Sequence, residues 1–279
     1  MAHSLHVVIT GGNCGIGYAA AKLFIEKGYR VTIVGRSEEK LKEAQSKLGN
    51  VEIGICDLSK RESIVQFVKS ISNIDILVNN AGMVASNYEL GELDQELTFS
   101  TNHLGTMFLT IQLLNHTKFN KGASIVVVSS SLHTKGKDDL LFFDNLTTNN
   151  FDGLQVYSQT KLYNILFAKY LQETYLLNYK ELDIKVNSVH PGFIPTTNLQ
   201  RESNIFIKFL MNYILPLFPF TTTVEDAANR IYKCGTENNK NCYYGAIGPE
   251  SPSELAQDEA FCNALWRKSM DILKLEESK

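Results

Sequence analysis

The chain lacks most of what would mark a secreted, nucleic-acid-binding or membrane-spanning protein. Its five cysteines are odd in number and irregularly spaced, so they form neither a disulfide framework nor a metal-ligand pattern. Reduced thiols in an intracellular setting are expected instead. Charge of one sign is also missing. Lysine and arginine total 27 against 30 acidic residues, a net charge of -3, and without basic blocks nucleic acid is not expected as a partner. There is no long hydrophobic run: the most apolar stretch, 205–220, is short and is broken by Lys208 and Pro216. The opening MAHSLHVVIT has no basic start and no extended apolar region. No signal peptide or N-terminal anchor is therefore expected, and the expected location is cytoplasmic.

What is present fits a large α/β domain. A length of 279 residues with 44% apolar content suits one domain with a full core better than two small ones. Strand-like runs at 5–10, 31–35, 51–57, 75–82, 123–130, 183–192 and 242–247 alternate with helical periodicity. The helices are expected at 18–27, 38–48, 60–71, 96–116, 154–177 and 259–274. Short, nearly all-apolar strands between helices make a parallel sheet covered on both faces. The expected fold class is α/β, one doubly wound parallel sheet of about seven strands, as a single domain over 1–279.

The residues with chemistry cluster at the predicted carboxyl ends of the strands, where open α/β sheets bind ligands. The first strand runs into TGGNCGIG, with Gly11, Gly15 and Gly17 before a helix. Such a loop lets backbone N–H groups and a helix N-terminus approach a pyrophosphate, although glycines also serve simply to turn the chain. The second strand ends in Gly35-Arg36-Ser37 with no acid before Glu38. An acid there would bind the ribose hydroxyl of NAD, whereas Arg36 can grip a 2′-phosphate, which favours NADP. Asp57 could accept from an adenine amino group or cap the next helix. Asn79-Asn80-Ala81-Gly82 could lie along a ribose or tie strand ends together. Ser129-Ser130-Ser131 ends the fifth strand, as a substrate-oxygen ligand or a turn former. His190-Pro191-Gly192 ends the sixth, with Thr196 and Thr197 beyond. Tyr157 and Lys161 lie four apart in one helix and so share a face. A cation beside a phenol favours the phenolate and lowers its pKa.

Taken in order, TGGNCGIG, Asp57, NNAG, Asn102 in STNHLG, Ser130, YSQTK and HPG resemble the short-chain dehydrogenase/reductase family, from Val7 to about Leu273. The resemblance implies a Rossmann-like fold and a catalytic tetrad of Asn102, Ser130, Tyr157 and Lys161. Tyr157 would pass the proton, Ser130 would hold the substrate oxygen, Lys161 would bind the nicotinamide ribose, and Asn102 would hold a water. The implied cofactor, NADP(H), would meet Gly11, Asn13, Cys14, Gly15, Ile16 and Gly17 of the first loop. It would also meet Arg36, Asp57 and Leu58, then Asn80, Ala81 and Gly82, then Tyr157 and Lys161, and finally Pro191, Gly192, Ile194 and Thr196. Gly35-Arg36, KLYNILFAKYL, VNSVHPGFIPT and the DEAFCNALWRKS tail resemble the retinol dehydrogenase-like branch. That implies a lipophilic aldehyde, ketone or alcohol as the partner small molecule. The missing anchor departs from the many membrane-anchored members of that branch.

Two segments are expected on the substrate side. The first, 132–153, carries Leu140, Leu141, Phe142 and Phe143; the second, 193–223, contains the apolar stretch 205–220. For 205–220 a core or oligomer helix and a peripheral contact with a membrane surface both stay open. Tyr163, Phe167 and Tyr170 form a stripe read as packing, with a homo-oligomer interface as one form of it. The functional expectation is hydride transfer by an NADP(H)-dependent oxidoreductase. Its rival is a catalytically silent NADP(H)-binding or scaffold protein that keeps only the fold.

Overall fold

Strand β1 (His6–Thr10) is buried along its whole length, because it is paired on both sides and covered on both faces. In the computed structural model, which describes residues 4–192, 194 and 222–276, the sheet extends from it in both directions. On one side lie β2 (Arg30–Gly35) and β3 (Glu52–Ile55). On the other lie β4 (Ile74–Asn79), β5 (Phe119–Val128), β6 (Lys185–Val189), β7 (Tyr243–Tyr244) and β8 (Pro249–Glu250). The order is β3-β2-β1-β4-β5-β6-β7-β8. All pairings are parallel except the last, β7 with β8. The expected single doubly wound α/β domain is thus present, with a short antiparallel edge strand added.

Alternating side chains divide the core in two, as the period of a strand requires. Val8, Leu77, Ile125 and Val127 face one side, and Val7, Ile9, Val78 and Val126 the other. Helices α1 (Gly15–Glu26) and α2 (Glu38–Leu48) contribute to the second layer. Helix α3 (Arg61–Ser70) belongs to the first. The helix expected over 96–116 is interrupted: α4 (Leu97–Phe99) passes through a π-turn (Ser100–Leu104) into α5 (Gly105–Asn115). The long helix α6 (Gly153–Glu173) is buried without a break from Val156 to Ala168. It ends four residues before the expected 177, in 3-10 turns over Tyr175–Leu182. Helix α7 (Val224–Thr236) has no counterpart among the expected elements. Its signal was available: Thr223 caps the amide of Asp226, and Ala227, Ala228, Ile231 and Cys234 recur at helical spacing on the buried face. Helix α8 (Glu259–Ile272) completes the chain.

Most of the apolar residues of the insertion pack on the core. Phe142, Phe143 and Leu146 are buried. Phe143 stacks on Phe99 at 3.9 Å between ring centroids and 7° between planes, and meets Tyr163 edge-on at 5.8 Å. Leu141 is 56% exposed. Lys268 of α8 ties the segment down by donating to the Leu140 carbonyl at 2.7 Å and by pairing with Asp144. The aromatic stripe on α6 is covered by the chain's own last helix. Tyr170 stacks on Trp266 at 4.4 Å, and Tyr163 lies 6.1 Å from Phe261. Within the chain Tyr163 and Phe167 are buried and Tyr170 is partly buried. Residues 205–220, Thr196 and Thr197 lie outside the described residues. No helix among the described residues is long and apolar enough to cross a membrane.

Deleting a buried aromatic leaves both a lost transfer energy and a cavity. Phe143→Ala is expected to cost about 3–5 kcal/mol of stability. Urea unfolding followed by the fluorescence of Trp266, the single tryptophan, measures it; a loss under about 1 kcal/mol, the level of surface changes, contradicts the core assignment.

Candidate functional site

The chain order reverses between β1 and β4, which opens a crevice at their carboxyl ends. Gly11 and Gly15 enter it with φ of 65° and 55°, a region that side chains other than glycine rarely adopt. A Cβ on Gly15 would meet nothing within 4 Å, whereas one on Gly17 would strike the Gly11 carbonyl and Asn80. One glycine therefore leaves open space and the other allows close packing of helix on strand. Helix α1 begins at Gly15 with Cys14 before it, has no side-chain cap and carries no acid in its first turn. By contrast, Ser37, Asp152, Thr223 and Asp258 cap α2, α6, α7 and α8. The first-turn N–H groups of α1 are thus left for an anion, and the loop fits a pyrophosphate.

The structure gives several of the neighbouring residues contacts of their own. Asn13 lies over the end of β2, with its Oδ1 3.1 Å from where a Cβ of Gly35 would stand, and Ile16 packs on the core. Arg36 is exposed and has no hydrogen bond or ion pair with the described residues. Asp57 does not cap α3, whose N-cap is Lys60. Its Oδ1 instead accepts from the amide and hydroxyl of Ser59, at 3.0 and 2.7 Å, in a turn before the helix. Leu58 is buried. Asn80 ties strand ends together: its Nδ2 donates to the Thr10 carbonyl at 2.8 Å. Thr10, which the motif reading missed, accepts from the amides of Asn80 and Ala81, both at 3.0 Å. Gly192 adopts φ 97° beside Thr222 and Arg230, after Pro191, and Ile194 is buried.

Across the crevice, α6 presents Tyr157 and Lys161, both buried. The Lys161 ammonium lies 5.3 Å from the centre of the Tyr157 ring and donates to the Val128 carbonyl at 2.9 Å. Of the three serines, Ser130 is the one whose side chain acts on the Tyr157 phenol, in the direction that lowers its pKa. Ser129 is turned inward to the Lys161 carbonyl at 2.7 Å, and Ser131 is exposed. His133, assigned no role in the sequence, lies against the carbonyl of Ser130 at 2.8 Å through Nδ1. Its Nε2 accepts from the Ser253 amide, so that turn is held from outside.

The electrostatics depart from expectation. Burial pushes the Tyr157 phenol up to about 12, and the Ser130 hydrogen bond offsets this only in part. Burial also brings Lys161 down to about 8. The spacing predicted a lowered phenol, but in the chain by itself desolvation outweighs the neighbouring ammonium.

Asn102 sits in the π-turn, fully buried. Its Oδ1 accepts from the Met83 amide at 2.8 Å, and its Nδ2 donates to the Met83 carbonyl at 2.9 Å and to Thr160 at 3.3 Å. The side chain thereby fixes the strand after Gly82 against α6.

Residues 5–142 match the family model for short chain dehydrogenase. Human retinol dehydrogenase 14 is 31% identical over 95% of this chain and 84% of its own. Short-chain dehydrogenase TIC 32 A, chloroplastic, from Brassica napus is 30% identical over 98% and 90%. Among solved structures, an uncharacterised protein from Mycobacterium paratuberculosis superposes with a TM-score of 0.78 at 27% identity, covering 99% of this chain and 95% of that one.

A lysine whose pKa falls on folding makes the unfolded chain bind more protons between about 8 and the ordinary 10.5. Stability therefore rises with pH across that window, and below it the full cost of the buried charge, about 3 kcal/mol, applies. Lys161→Met is expected to melt a few degrees higher than the native chain at pH 7. The gap should narrow toward pH 9.5. Thermal unfolding at both pH values measures this, and a gap that widens would contradict the sign.

Proposed function

The chain belongs to the short-chain dehydrogenase family, and from that premise we propose an NADP(H)-dependent oxidoreductase that interconverts a lipophilic aldehyde or ketone with its alcohol. What carries the assignment is the buried Tyr157 phenol, on which Ser130 acts, with the Lys161 ammonium 5.3 Å from its ring on the same helix face. A carbonyl oxygen within reach of both hydroxyls accepts two hydrogen bonds, which stabilise the negative charge that develops there. Tyr157 then gives its proton to that oxygen in reduction and takes it back in oxidation. Bound NADP(H) would supply or accept the hydride and, when oxidised, place a positive charge beside the phenol. With burial holding the phenol near 12, Tyr157 is a proton donor at neutral pH in the chain itself. Reduction needs that state, and oxidation needs the added positive charge. Lys161 anchors the ribose with its ammonium, while Asn102 positions the segment after Gly82.

The cofactor's extra phosphate is assigned to Arg36, exposed at the end of β2 where no acid stands. The lipophilic substrate class rests on the approach to Tyr157. Gly153, one turn before it, lets the Ala85 carbonyl come to within 2.6 Å of where a Cβ would stand. Around that contact Val84, Phe151 and Leu154 are apolar, with Leu154 50% exposed, and Tyr88 meets Phe151 edge-on at 6.2 Å. The family likeness to a protein named retinol dehydrogenase agrees with such a substrate.

A panel of retinoids, steroids, fatty aldehydes and quinones with NADPH or NADP tests the assignment. On any accepted substrate, Tyr157→Phe is expected to lose at least about 100-fold in kcat; near-normal turnover would sink the acid/base role. NADPH binding without turnover across the panel would favour a silent binding protein. Arg36→Asp is expected to weaken NADPH binding relative to NADH by about 10–100-fold, the loss of one charge-assisted contact. Equal NADPH and NADH affinities in the native chain would refute the cofactor assignment.

A further inference from the structure

Three side chains on the far face of α6 hold the main chain that leaves Ser130. Gln155 donates through Nε2 to the carbonyl of Lys135 at 2.9 Å. Gln159 accepts the amide of Lys137 at 2.7 Å through Oε1 and donates through Nε2 to the same residue's carbonyl at 2.8 Å. The Tyr163 hydroxyl donates to the carbonyl of Asp139 at 3.0 Å. Residues four apart on the helix thus bind residues two apart in the segment from Lys135 to Asp139, in the same direction. Gly136 allows the approach: a Cβ there would stand 2.6 Å from Leu162. Gln159 is fully buried, so its amide has no water to fall back on and both bonds must be kept.

We infer that Gln155, Gln159 and Tyr163 are positioning residues, a ladder that sets the register of the Ser130 turn against the helix carrying Tyr157. The segment held by the ladder begins at Ser130. Ser130 accepts the Leu132 amide at 3.2 Å on Oγ and the His133 amide at 3.1 Å on its carbonyl, and the turn ends at Lys135, whose carbonyl takes the first rung. Sliding the segment along α6 would therefore move the Ser130 hydroxyl relative to the Tyr157 hydroxyl. The ladder deepens the function proposed above and rests on it for its catalytic consequence, not for its geometry.

The test uses the full chain with NADPH and decanal, or the fastest carbonyl of the panel. Gln159→Met keeps the volume and removes both bonds. It is expected to lower kcat about tenfold while leaving NADPH affinity within about twofold, since a small misplacement of reacting groups acts on the chemical step. In a Ser130→Ala background the same change should have almost no further effect, because the ladder acts through Ser130. A full tenfold loss there, or no loss in the native background, overturns the inference. Leu146→Ala, a core change beyond the ladder, should lower stability without altering kcat. If Gln159→Met does not fold, Gln155→Met and Tyr163→Phe each remove one rung, and the same cycle with Ser130→Ala applies. If Tyr157→Phe keeps turnover, the acid/base assignment fails and the ladder is judged by amide exchange. Faster exchange at Leu132 and His133, as well as at Lys137, supports it, whereas a change confined to Lys137 overturns it.

Discussion

A lysine ammonium kept out of water beside a phenol is the constraint on which the candidate site depends. Either group alone would prefer solvent: burial moves Tyr157 up to about 12 and Lys161 down to about 8. Holding them in place takes a helix buried on all sides from Val156 to Ala168, and such a helix needs partners around its whole circumference. The sheet supplies one side through β5 and the Val128 carbonyl. The π-turn supplies another through Asn102 and Thr160. The insertion and α8 cover the remainder with Phe143, Phe261 and Trp266. Stability spent on a dehydrated charge is a familiar accompaniment of active sites.

The same constraint accounts for where the apolar residues of the insertion go. A stripe of Tyr163, Phe167 and Tyr170 on a helix must be buried, but a one-dimensional pattern does not say by what. Two segments distant in sequence, 140–146 and 259–272, meet there and bury it within one chain. Phe142 and Phe143 among polar residues could equally have lined a pocket. In the fold Phe143 stacks on Phe99, and Phe142 packs edge-on against Phe143.

Several motif residues have a structural duty that is complete before any ligand arrives. Asn80 joins β4 to the end of β1, Asp57 closes a turn with Ser59, and Asn102 brackets Met83. These bonds place the backbone that faces the crevice. They leave the uncapped start of α1 and the exposed Arg36 as the groups with spare capacity. Of the ligand-facing and structural roles that the motifs left as alternatives, the structural contacts are the ones present in the chain itself.

The sequence by itself determined the alternation of strands and helices, the parallel sheet and the glycine spacing of the first loop. It also put Tyr157 and Lys161 on one helix face. All of these are local regularities, carried by periods of two and 3.6 residues and by turn chemistry. Helix α7 obeyed the same rules and was legible, though it was not assigned. Only the tertiary structure decided which segments pack on the aromatic stripe and which way the phenol's pKa moves. Those outcomes depend on depth of burial and on contacts between residues far apart in the chain. Desolvation grows with every neighbour that excludes water, and no spacing of two residues along a helix reveals how many such neighbours the fold will bring.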